Sequence, residues 1–157
     1  MQHHAHNSQV QRRAYRSLAI MSGLSFLAML ALMYAMVDRL GNVLFNLNQI
    51  YMAGLMLVPM VALELLLMRH MYTQRSVNTV IWIATAVVGV ICWLGIRQQA
   101  GITDAQFLRS MIPHHAGAIL MCEKASLEDP RIRELCVQII RSQRREIDQM
   151  KAMLQSN

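Results

Sequence analysis

The sequence predicts an all-α membrane protein in which three transmembrane helices are followed by an antiparallel helical hairpin outside the bilayer. Of 157 residues, 55% are hydrophobic and only 15% charged, and the apolar residues gather into three long runs. The last third of the chain instead shows apolar residues at spacings of three and four, with helix starts and a turn between two such stretches.

Residues 1–16 are polar and basic and open with His3, His4 and His6. A histidine third from a free amino terminus can chelate Cu(II), but a polar tail is the plainer reading and the one preferred here. Residues 17–37 form the first span, since about 20 apolar residues cross a bilayer. The run is too long for the core of a secretory signal and lacks a small-residue cleavage site. The second span is 50–68, with Pro59 expected to kink it and Glu64 expected to reach the headgroups beside Arg69. The third is 77–96. Arg12, Arg13 and Arg16 precede the first span, and Arg69 and Arg75 flank the second connection. The loop 38–49 has only Arg39, offset by Asp38. The excess of arginine puts the amino terminus in the cytoplasm and everything after 96 outside, which in a bacterial inner membrane means the periplasm. Met29, Met33 and Met36, with Met52, Met56 and Met60, make two stripes that read as a thioether relay or, more simply, as helix-interface filler.

The third region, 97–157, is the hairpin. Asp104 is expected to cap its first helix, 126–128 to form the turn, and Asp129-Pro130 to start the second helix. Met111, His114 or His115, Ala118, and Met121 or Cys122 share one face. Cys136, Ile139 or Ile140, Gln143, Glu146 or Ile147, and Met150 share the answering face. Folding back about Asp129 sets His115 level with Gln143 and Cys122 level with Cys136. Imidazoles flanked by thioethers suit a soft metal ion, so His114, His115, Met111, Met121 and Met150 are the candidate Cu(I) ligands, with Gln143 and Glu146 orienting an imidazole. Adjacent helical positions point about 100° apart, so one histidine serves the seam and the other a dimer partner. Pro113 cannot donate to the Arg109 carbonyl and should bend the helix beside the pair. For Cys122 and Cys136 three readings stay open: a disulfide, soft-metal thiolates, or two small core residues.

These residues carry a resemblance. Phe107, Met111, His114-His115, Ala118-Ile119, Met121, Ile139-Ile140, Gln143, Glu146-Ile147 and Met150 together resemble the bacterial family known as domain of unknown function 305. The resemblance implies a ferritin-like helical module facing the periplasm, some of whose relatives bind copper and take part in copper tolerance. A hairpin of about fifty residues is too small to bury Phe107, Ile112, Ile119, Leu135, Ile140 and Leu154 by itself, so a homodimer closing a four-helix bundle is expected.

Other chemistries thin out. Glu123 and Glu146 are followed three residues on by Ser126 and Gln149, so the Glu-x-x-His pairs of di-iron bundles are absent. There is no phosphate-binding glycine loop and no zinc-protease motif, and no enzyme activity is expected. The net charge is +6, but five of the fifteen cations flank the spans, so nucleic acid is not an expected partner. The reading is a membrane-anchored copper-handling protein that exchanges Cu(I) with a donor or acceptor protein. The alternative is an accessory subunit whose hairpin docks on a partner.

Overall fold

The structure, a computed structural model, describes residues 2–156, and the side chains of His3, His4 and His6 lie outside what it describes. The described residues form five α-helices: α1 (Gln2–Leu32), α2 (Leu47–Leu67), α3 (Arg75–Gln98), α4 (Asp104–Lys124) and α5 (Pro130–Ser156). Short 3-10 turns at Met33–Met36 and Leu40–Asn42 lie between α1 and α2. Three stretches, Gln9–Met36, Leu47–Leu67 and Arg75–Gln98, are long and apolar enough to cross a membrane. Leu24, Leu63, Val80 and Ile83 point outward from them, as helices built for an apolar solvent require.

The chain divides into two compact units, the first comprising Met1–Leu30 and Ile50–Ala100, the second Ala31–Gln49 and Gly101–Asn157. In the first, Ala14 and Leu18 of α1 pack with Val61, Leu65 and Tyr72. Tyr15 donates to Asn78 Oδ1 at 2.7 Å, and Asn78 in turn donates to the Tyr72 carbonyl at 2.7 Å, tying α1 to the α2–α3 connection. The α2 and α3 backbones approach closely: a Cβ on Gly54 would lie 2.6 Å from Cys92 Sγ, and one on Gly95 would lie 2.9 Å from the Tyr51 ring. Small residues permit such contact where no water drives helices together. Glu64 accepts from Tyr72 Oη at 3.0 Å, so its partner is a tyrosine rather than the nearby Arg69. The methionine stripes are mixed in placement. Met52 and Met56 lie on the surface, while Met60 packs against the core of this unit.

The second unit holds more than the hairpin. Its core is Ile112, Ala116 and Ile119 of α4 with Ile147 and Met150 of α5, and Val37 and Leu44 from the α1–α2 connection cover it. Helix α4 is capped by Thr103, whose Oγ1 accepts from Gln106 N at 3.4 Å, and Asp104 becomes the first helical residue instead of the cap. Asp129 caps α5 as expected, accepting from Arg131 N at 2.8 Å, with Pro130 in the first turn. The Arg131 guanidinium holds the Asp129 carboxyl below its usual range. A depressed carboxylate contributes to stability above its unfolded pKa, and the contribution is lost as pH falls through the folded value.

Pro113 does what its chemistry requires and more. It lies within α4 and leaves the Arg109 carbonyl without its helical donor. Asn46, 1% exposed, fills that role: its Nδ2 donates to Leu44 O at 3.0 Å and to Arg109 O at 3.4 Å. Its Oδ1 accepts from Gln49 N at 3.1 Å at the start of α2. One buried amide thus latches the connection onto the proline turn. Replacing Asn46 by Leu is expected to strand those groups and cost about 1–3 kcal/mol, read as a lowered denaturation midpoint of the full-length protein. An unchanged midpoint would show that the latch contributes nothing.

Candidate metal centre

The site is built where α4 and α5 face each other. His115 is 8% exposed, one of the few buried polar residues. Its Nδ1 lies 2.9 Å from the carbonyl of Met111, one turn back on the same helix, and its Nε2 lies 2.8 Å from Glu146 Oε2 on α5. A carbonyl only accepts, so Nδ1 carries a hydrogen and donates it. In the neutral ring Nε2 is then the lone-pair nitrogen, aimed at a carboxylate oxygen. Two acceptors at this distance are joined by a shared proton, which an ion binding Nε2 would displace. A backbone carbonyl on Nδ1 is also how metal-ligating histidines are commonly oriented.

Two methionines belong to the same unit's core: Met150 is buried in it, and Met111 packs against it. Met111 precedes His115 by four residues, and Met150 follows Glu146 by four. In an antiparallel hairpin the two methionines therefore fall at the same level, one turn from the His115–Glu146 pair. Gln143 is half-buried one turn nearer the connection than Glu146. His114 and Met121 fall elsewhere: both are exposed, Met121 at 55%, and Phe107, at 49%, continues their outer stripe. His114 shares with His115 only an edge contact, ring centroids 6.1 Å apart.

The open question about the cysteines is resolved in the structure by a disulfide, Cys122–Cys136, with Cα atoms 5.2 Å apart. The bond occupies both sulfurs, which removes them from the candidate ligands in this form. The expected pairing of His115 with Gln143 is corrected to Glu146. Side chains lean toward the amino end of their own helix. His115 therefore leans away from the connection while Glu146 leans toward it, and they meet. Among the described residues no three histidines, cysteines or carboxylates gather as a metal cluster. Sequence reasoning missed Asn46. Pro113 announced the orphaned Arg109 carbonyl, but nothing local signalled a donor from so distant a segment.

The fold and site define a class: an all-helical protein with three apolar spans' worth of helix and a C-terminal hairpin, closed by a disulfide, that pairs a buried histidine with a partly exposed carboxylate. Residues 96–156 match the family model described as Domain of unknown function (DUF305). Uncharacterized protein L153 of Acanthamoeba polyphaga mimivirus is 36% identical over 119 residues, covering 74% of this chain and 76% of that protein. The chain belongs to the DUF305 family. No solved structure matches it.

Proposed function

We propose that this is a membrane-anchored copper-binding protein whose hairpin takes up Cu(I) between α4 and α5. The observation that carries the reading is the buried His115 Nε2 facing Glu146 Oε2 at 2.8 Å, with its tautomer set by the Met111 carbonyl. His115, Met111 and Met150 are the ligands, and imidazole with thioethers is a donor set that favours Cu(I) over harder ions. Glu146 supplies charge and orientation. His114 and Met121 form an outer face that completes a bundle with a second copy. In the rival reading, the proton stays in place and the pair is only a docking module's hydrogen bond between its two helices. Competition of the purified full-length protein against a Cu(I) chelator decides between them. Failure to compete, or equal competition for Zn(II), would overturn the copper reading.

The hairpin and the connection 31–49 belong to one unit, which suits three crossings that leave both on one side. We place that side in the periplasm of a bacterial inner membrane, from the arginines flanking the first span and the second connection. A reporter fused after Asn157 is expected to be active only in its periplasm-sensitive form, and cytoplasmic activity would reverse the orientation. The exposed Phe107, Met121 and Leu135 support a homodimer, and light scattering in detergent that finds only monomer would remove it.

A further inference from the structure

The covalent tie of the hairpin lies outside its core. Among the described residues, the buried positions of α4 run from 112 to 119, and those of α5 are Ile147 and Met150. Cys122 and Cys136 stand beyond them, toward the connection, and both are half-buried. A recess of ≈ 450 Å³ is lined by both cysteines. The Arg144–Glu123 pair, 2.6 Å apart, also joins the helices there, but an ion pair between partly exposed groups holds little. The sulfurs are thus the main link at this end, and the residues that carry them are open to solvent.

The same spacing serves a metal. The Cα atoms are 5.2 Å apart, and the Cβ atoms of a bridged pair stand about 3.8 Å apart. Two metal–sulfur bonds of about 2.3 Å would place the sulfurs about 4.6 Å apart across one ion. Rotation about the two Cα–Cβ bonds carries the sulfurs from one separation to the other with both helices in place. Thiolates are soft donors that select Cu(I), and a pair of them leaves Zn(II), which takes four ligands, half coordinated. Arg133, which lines the same recess, brings a cation that favours thiolate over thiol.

We propose that Cys122 and Cys136 form a second, redox-gated Cu(I) site, shut while they are bonded to each other and open once a dithiol has reduced them. A thiolate of the dithiol attacks one sulfur, the S–S bond breaks, and the dithiol's second sulfur resolves the mixed disulfide. Two electrons and two protons pass to the pair, and the reductant leaves as a disulfide. Cu(I) then replaces the two thiol protons and links α4 to α5 in place of the lost bond. The site takes its ligand from the copper reading of the hairpin but shares no atom with His115, Met111 or Met150, so the two stand or fall separately.

The test counts Cu(I) bound by the full-length protein in competition with a chelator, without oxygen, for the oxidised chain and for the chain reduced with dithiothreitol and then freed of it. One ion per oxidised chain and two per reduced chain are expected, and reduced Cys122→Ser and Cys136→Ser are each expected to return to one. Cys92 is present in every form, so a gain lost in either variant does not come from it. Cu(I) is also expected to return to the reduced chain most of the denaturation midpoint lost with the bond. No gain on reduction overturns the site, as does a gain that survives either serine or that comes with lost helicity. An equal gain of Zn(II) at matched free concentration overturns the assignment to Cu(I). No ion on the oxidised chain and one on the reduced chain would remove the seam site and keep this one. The oxidised and reduced native chains differ in no residue, so a variant that fails to fold leaves that comparison standing.

Discussion

Replacing His115 by Ala is expected to weaken Cu(I) binding by about 100-fold or more, whereas His114→Ala leaves it within a few-fold. The asymmetry follows from burial and bonding. His115 is enclosed in the seam, its ring fixed by the Met111 carbonyl and aimed at Glu146, while His114 is exposed. Glu146→Gln should cost less, about tenfold, because it removes a negative charge beside the ion and no ligand. Met111→Leu and Met150→Leu conserve volume and remove sulfur, so they separate soft-metal ligation from packing. If both leave Cu(I) affinity unchanged while stability holds, the thioethers are core residues and the copper selectivity falls. The measurement is chelator competition on the full-length chain, with helicity followed to show that each variant is folded.

Opening the Cys122–Cys136 bond is expected to destabilise the second unit by about 3 kcal/mol, the loop-closure contribution for cysteines 14 residues apart. A decrement of that size is a large share of the margin of a small domain. Denaturation of the oxidised chain, of the reduced chain and of Cys122→Ser/Cys136→Ser should show both altered forms shifted alike. If neither shifts, the linkage is ornamental to the hairpin. Lost metal affinity with unchanged stability would mean that the cysteines act on the site by another route.

Much of this was legible in the sequence. The three runs, the hairpin and its turn follow from composition, spacing and the Asp129-Pro130 start. The level pairing of Cys122 with Cys136 follows from folding back about Asp129. His115 was always going to face the seam if His114 did not, because neighbours on a helix diverge. What spacing could not give was the lean of the side chains, which moves His115 from Gln143 to Glu146, and the identity of the true cap, Thr103, one residue before the stronger-looking Asp104. Least legible was the role of 31–49. Val37, Leu44 and Asn46 sit in a stretch with no helical period of its own, and their partners lie in α4 and α5. Long-range partners of irregular segments leave no local signature.

The asparagine latch also sets an order of assembly. Asn46 meets Arg109 across 63 positions, and Asn42 meets Lys151 across 109. Helix α5 emerges last during synthesis, long after the surface it must close upon, and contacts so distant in sequence form slowly compared with helices. The hairpin is therefore a late guest on a platform laid down between the first two spans. Cut away from that platform, residues 98–157 would expose Ile112 and Ile119, and their behaviour in isolation would not report the behaviour of the site.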